Sequence, residues 1–555
     1  MEKYGVLIFI LALIAVAVAT SIHNRKKQDE KRRRTIREAW GKETKREYSY
    51  EEFARIPHYY RKRLTSGIDD ATWNDLDMDS LFEKLNHTYS SVGEEYLYYL
   101  LRTPVFEEKE LAKRETIVSW LSAHHEDALK LQEVYARMGR ARRIAVSDYL
   151  FSLGEAPDLP VIKDIAVDLG LIVSLVLMIL GQPEAVGVFV LLLVFNVISY
   201  FQSKGKVEGY FSGIAYLVSM SGYAKEVAAL QLPVLEEENK KLFQAARSFD
   251  SVRRFSGLIA LSGNVSMDVG EMLFDYLRMI FHIDLLAYRF IINQIKEKEA
   301  DLKTMVESMG YAESCLAIAS YRESLPYYSV PVLEKRETPF VQTRALYHPL
   351  VEGAVANDFA TEKPVLVTGS NASGKSTFLK TVAISAILAQ TVHTVCAEEY
   401  TGNYTRVISS MDIKDHLEEK ESYFMAEIRS IRRMFEAGTK EPVMVFIDEV
   451  LKGTNTVERI AASTQILKSL AEPGRLPFAA THDMELTELL ADVYENYHFS
   501  EEFLDEDIHF SFRLQPGPAD TRNAIRLLKL MGYSDDIVEK ANKMAERFME
   551  SGKWS

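Results

Sequence analysis

At 555 residues, 47% of them hydrophobic and 26% charged, the chain has apolar mass for about two or three cores and is not a disordered sequence. A formal net charge of −14 excludes a protein that coats nucleic acid through bulk charge, because neutralising phosphates needs Lys and Arg gathered on one surface, so any DNA contact must be local. The two cysteines, Cys315 and Cys396, have no His or Cys at ligand spacing around them, which points to a reducing compartment and to no structural zinc.

Residues 1–24 read as a transmembrane anchor. Gly5 to Ile22 runs without a charge and as a helix would span about 27 Å, close to a hydrocarbon core. A cleaved signal peptide is the rival reading, since Ala17-Val18-Ala19 resembles a small-x-small cleavage site. Against it stands the basic juxtamembrane segment, residues 25–47, with Arg25, Lys26, Lys27, Lys31, Arg32, Arg33, Arg34 and Arg37, which the positive-inside rule keeps in the cytoplasm.

Residues 48–160 carry apolar positions at helical spacing, such as Leu81, Leu85, Tyr96, Leu97, Leu100 and Leu101, and read as a helical domain. Within 161–204, two apolar stretches, Ile165 to Leu180 and Ala185 to Phe201, flank the turn Gly181-Gln182-Pro183-Glu184 and predict a transmembrane helical hairpin. The alternative is a buried core hairpin, because Asp168 and Asn196 are polar and the arms are short for a span. Residues 205–335 continue the helical texture, and the run from Met267 to Met309 predicts a lever-like or paired long helix. The cluster Arg137, Arg140, Arg142, Arg143 is either a local DNA contact or a solvated helix face.

From Thr338 the texture changes, and residues 336–515 predict an α/β domain, followed by a C-terminal helical pair at 516–555. Pro364 to Thr368 reads as a buried strand, Gly369-Ser370-Asn371-Ala372-Ser373-Gly374-Lys375-Ser376 fits GxxxxGK[ST], and a helix follows from Thr377. In such a loop the backbone amides curl around phosphates, Lys375 supplies charge, and the Ser376 hydroxyl can ligate Mg2+. Val443 to Ile447 is an apolar strand ending in Asp448, a candidate magnesium ligand, and Glu449, a candidate base for the attacking water. Phe478 to Thr481 ends in His482, which can donate to a γ-phosphate.

GSNASGKSTFLKT, Ser422-Tyr423-Phe424-Met425-Ala426-Glu427, FIDEVLKGTNT and ATHDMEL together resemble the MutS family, whose ATPase is of the ABC class. Asn86-His87-Thr88 with Leu100 to Pro104, and His348-Pro349-Leu350 with Asn357-Asp358, extend the likeness upstream. The resemblance implies an ABC-type P-loop ATPase preceded by an all-α lever and core domain. It also implies ATP and Mg2+ bound over Gly369 to Thr377, and Ser422 reaching the nucleotide of a second copy. Lys452-Gly453-Thr454-Asn455-Thr456 would cross the interface of a homodimer, and Asn523 to Phe548 resembles the family's terminal dimerisation helices.

The sequence departs from the family where an aromatic that stacks on adenine is often found, reading Ala354-Val355-Ala356 before Asn357. It also places the apolar hairpin where levers and DNA clamp would lie, and no Phe-x-Glu wedge precedes the core. The leading reading is a membrane-anchored ATPase in the cell membrane with its ATPase domain in the cytoplasm, acting on DNA or on a membrane protein. An ABC-type motor coupled to a membrane partner, and a DNA-processing factor for which the membrane is only an address, are the alternatives.

Overall fold

The computed structural model describes residues 20, 23–24, 26–44, 46–63, 66–141, 145–152, 156–160, 162–253, 269–370, 373–411, 423–437, 441–452, 454–504, 507–519, 525, 528 and 532–551. The expected N-terminal span therefore lies almost wholly outside the described residues, as do Asn371, Ala372, Arg142, Arg143, Ser422 and Gly453. The chain divides into a helical unit, Met1–Thr65 with Leu85–Tyr99 and Thr116–Ser324, and an α/β unit, Ser66–Lys84 with Leu100–Glu115 and Leu325–Ser555.

In the helical unit, the basic segment becomes helix 26–39. Ile36 is buried, Arg33 pairs with Glu133 at 3.0 Å and Arg37 with Glu126 at 2.9 Å, both on helix His125–Met138. Arg32 and Arg34 pair with Asp29 and Glu38 on their own helix, so part of the basic cluster is already matched by carboxylates. The same holds for the second basic cluster, where Arg137 pairs with Glu226 and Arg140 with Glu94.

The hairpin forms from α1 (Ile162–Ile179) and α2 (Glu184–Ala229) around Gly181, whose φ of 83° suits a residue without Cβ. Its polar residues face inward. Asn196 Nδ2 donates to Asp168 at 2.7 Å, Ser199 Oγ donates to Asp164 at 2.9 Å, and all four residues are buried. Its apolar residues face outward: Leu169, Val173, Val188, Leu191 and Val194 are between 52% and 69% exposed. A core hairpin needs those faces covered, and nothing among the described residues covers them; polar in and apolar out is the arrangement a bilayer selects. One helix among the described residues, α2, is long and apolar enough to cross a membrane, while α1 carries Lys163, Asp164 and Asp168 near its start.

Two expectations about helix length change. The second arm does not stop at Phe201, because α2 runs on to Ala229 and buries Ile214, Leu217, Val218 and Ala224 in the helical core. Conversely, Met267 to Met309 is not one long helix but α3 (Val269–Ile280), α4 (Ile283–Glu297) and α5 (Glu299–Ser324). The first break sits at His282, left-handed with φ 49°, whose buried ring faces Asp168 at 3.3 Å. Asn196 Nδ2 also donates to the Ile280 carbonyl at 3.0 Å, satisfying an acceptor freed where α3 ends. Tertiary polar partners, not a Gly or Pro, stop the helix.

In the α/β unit, the apolar runs become strands because they are buried on both faces. The strands are β1 (Val332–Glu334), β2 (Val341–Leu346), β3 (Asn357–Thr361), β4 (Val365–Thr368), β5 (Glu399–Asn403), β6 (Arg406–Ser410), β7 (Val443–Asp448), β8 (Arg475–Ala480), β9 (Glu495–Leu504) and β10 (Asp507–Pro516). They form a four-stranded sheet, β1-β5-β2-β3, and a six-stranded sheet, β10-β9-β4-β8-β7-β6. In the larger sheet β6, β7, β8, β4 and β9 run parallel, and β10 returns antiparallel on β9. Helices α6 (Lys375–Thr391), α7 (Tyr423–Glu436) and α8 (Thr456–Leu470) accompany it. Of the predicted C-terminal pair, Asp535–Ser551 is a helix, with Gly532 at φ 82° before it, and 520–524 lie outside the described residues.

Candidate functional site

Parallel strands leave a crevice at their carboxyl ends, where loops to the next helix diverge. Here β4 delivers the Gly-rich loop, β8 delivers His482, and β7, beyond β8, delivers Asp448 and Glu449. Ser370, Ser373, Gly374, Lys375, Ser376, Thr377, Asp448, Glu449 and His482 line one cavity of about 150 Å³.

The loop's curvature depends on its glycines. Gly369 has φ 142° and Gly374 has φ 109°, and a Cβ at Gly369 would meet the Phe499 carbonyl oxygen and Ser373 Oγ at 2.9 Å. Lys375 opens α6 and is buried, with Nζ donating to the Gly369 and Ser370 carbonyls at 2.9 and 2.7 Å. Burial pushes its ammonium down to about 8, with Asp448 and Glu449 opposing that shift.

Glu449 follows β7 in the left-handed region at φ 60°, its amide donating to the Ala480 carbonyl at 2.9 Å. Its carboxylate lies 2.8 Å from His482 Nε2 and 3.4 Å from Lys452 Nζ. The His482 hydrogen bond, with the Lys452 charge, holds Glu449 down to about 2, so the carboxylate is ionised at any physiological pH. His482 also lies 3.4 Å from Lys375 Nζ, which links the three side chains in one line. Ser376 and Asp448 supply a hydroxyl and a carboxylate, the hard oxygen donors that suit magnesium.

A second cavity, of about 250 Å³, adjoins the loop and is lined among others by His348, Val355, Thr377, Phe378, Phe499 and Phe512. It exists because β10 bulges between Phe510 and Leu514 and Phe512 takes φ 51°. Asn357 fills the gap in the ladder, accepting from the Leu514 amide at 2.8 Å and donating to the Phe512 carbonyl at 3.1 Å. Phe512 is thereby turned out, 42% exposed, and borders both cavities. The sequence reading missed Phe499 and Phe512, although the alternation Ile508, Phe510, Phe512, Leu514 was a strand signal.

These features define an α/β domain with an anion cradle at the carboxyl edge of its parallel sheet and a carboxylate and histidine facing it. The model of MutS domain V matches residues 365–549. The chain is similar to the DNA mismatch repair protein MutS of Thermus thermophilus, 33% identical over 213 residues, 37% of this chain and 26% of that protein. The proteins of the same name from Caldicellulosiruptor saccharolyticus and Exiguobacterium sp. are 25% and 29% identical over 280 and 293 residues, covering 32% and 35% of their lengths. Through this domain the chain is similar to the MutS family. The matched part spans about a quarter to a third of those relatives.

Proposed function

We propose that the chain is a membrane-anchored MutS-family ATPase that binds ATP with Mg2+ and hydrolyses it at composite sites in a homodimer. The observation that carries this is the convergence of Lys375, Asp448, Glu449 and His482 on the Gly-rich loop.

In this reading the loop amides and Lys375 receive the phosphates, Lys375 exchanging the Gly369 and Ser370 carbonyls for phosphate oxygens. Ser376 and Asp448 would hold the magnesium, which would supply positive charge to offset that of the phosphates. Glu449 orients and deprotonates the attacking water once it leaves Lys452, and His482 donates toward the γ-phosphate. Ser422 of a second copy completes the site, and the loop Lys452 to Thr456 crosses the interface.

The adenine lies between Val355 and Phe512, which replaces the aromatic absent from Ala354-Val355-Ala356. Base–aromatic stacking is worth roughly 1–3 kcal/mol. Phe512→Ala is expected to weaken ATP by that amount in displacement titrations while leaving inorganic tripolyphosphate unchanged; equal weakening of both would move the base elsewhere.

The hairpin of α1 and α2 enters the bilayer from the cytoplasmic side, together with the N-terminal anchor, and dimer closure drives the helical levers against DNA or a protein near the membrane. The inward polar and outward apolar faces support insertion. Leu191→Cys in sealed vesicles should resist a membrane-impermeant maleimide until detergent is added. Labelling without detergent would place the hairpin in water and favour a protein partner over it.

A further inference from the structure

Glu427 stands on the inward face of α7. Phe424, Glu427, Ile431 and Met434 follow helical spacing, and Ile431 and Met434 are buried in the core under the larger sheet while Phe424 packs against it. That face calls for an apolar residue at 427, yet a carboxylate sits there, 2% exposed, and burial raises its proton affinity. A buried carboxylate is costly unless it makes hydrogen bonds that matter.

Its bonds go to the loop that carries Glu449. The Lys452 amide donates to Glu427 Oε1 at 3.2 Å, and the Leu451 amide adds to the interaction. Glu427 Oε2 is buried without a hydrogen-bond partner among the described residues. The loop needs holding, because Glu449 and Leu451 both lie in the left-handed region, φ 60° and 59°. That conformation is costly for a residue with a Cβ. Further restraints among the described residues include the Glu449 amide on Ala480, the Glu449 carboxylate on His482, and Ser463 Oγ, which donates to the Val450 carbonyl at 3.3 Å. Among the described residues, Glu427 is the α7 side chain that hydrogen-bonds the loop, and α7 starts one residue after Ser422.

We propose that Glu427 is the positioning residue for Glu449, fixing the 449–452 turn and thereby tying the signature helix to the general base. The inference rests on the reading of Glu449 given above. Glu427 does not meet the nucleotide; it sets where the base stands and where Lys452 is held against it.

The test is steady-state ATPase of the full chain in detergent, with Glu427→Met, Glu427→Gln and Glu449→Gln measured side by side. Methionine suits the apolar face and keeps the volume, so the variant folds, and its melting temperature stays at or above wild type. Its kcat should fall ~10- to 100-fold, the scale of a base misplaced by about 1 Å, while KM for ATP stays within about twofold. Glu427→Gln keeps an oxygen for the Lys452 amide, and its nitrogen displaces no partner at Oε2, so it should restore most of the loss. Wild-type kcat in Glu427→Met, or a Gln variant as slow as Met, overturns the proposal. Normal turnover by Glu449→Gln removes the base assignment itself; a slow Glu449→Gln beside a normal Glu427→Met removes only the role of Glu427.

Discussion

Glu449→Gln is expected to bind ATP with wild-type affinity and to hydrolyse it about 10²- to 10³-fold more slowly, the loss typical of one removed transition-state group. The carboxamide keeps the shape of the side chain but can neither accept a proton from water nor carry the charge that His482 and Lys452 now face. Those two side chains hold the carboxylate down to about 2, so it is ionised at physiological pH. Single-turnover phosphate release with radiolabelled ATP, alongside equilibrium binding, separates the two steps. Loss of binding in this variant would mean that the Glu449 charge serves the cradle and not the chemistry.

The second large effect concerns sharing between copies. If Ser422 completes the opposite site, Lys375→Ala and Ser422→Arg chains, each inactive alone, should regain activity when mixed, up to that of one working site. In the mixed dimer one site has an intact loop and an intact signature, and the other has neither. Activity that stays at the level of the separate variants, with mixed dimers shown to form, would mean that sharing is absent or that both sites must fire together. A mixed dimer of wild type with a chain carrying both substitutions decides between these: sharing in trans damages both sites, whereas independent sites leave one intact.

The α/β domain was legible because its signals are local. Val365 to Thr368, Arg406 to Ser410, Val443 to Ile447 and Leu476 to Ala480 are short apolar runs, and each became a strand of the larger sheet. The Gly-rich loop and the two strand-end acids are each contiguous in sequence, so the sequence alone singled out Lys375, Asp448 and Glu449, and the sheet order brings them to one cavity. What stayed hidden depends on distant partners. No Gly or Pro announces the break at His282, which is set by Asp168 and Asn196 on other helices. Phe512 faces the cradle only because Asn357 fills a bulge in β10 from another sheet. The single helix of α2 joins an outward apolar half to a buried one, and a composition change at Phe201 suggested an end where the backbone simply continues.

The hairpin, proposed above to enter a bilayer, also shows how buried pairing changes what polar residues imply. In water, Asp164, Asp168 and Asn196 argue for a soluble pair of helices, yet they bond to one another and to Ser199 and His282 between the arms. Their pairing leaves the outer surface apolar, so the polar residues are compatible with lipid contact rather than evidence against it.

The most direct measurement is Mg2+-dependent phosphate release by the full chain purified into lipid vesicles, compared with Lys375→Ala in the same vesicles. Lys375 is buried at the centre of the cradle and donates to the carbonyls of Gly369 and Ser370. The account predicts ATP hydrolysis by the wild-type chain that stops when magnesium is chelated and is absent from Lys375→Ala, with both proteins remaining in the vesicle fraction after an alkaline wash. Hydrolysis that survives Lys375→Ala, or a wild-type chain that folds, stays with the vesicles and releases no phosphate above background, would contradict it.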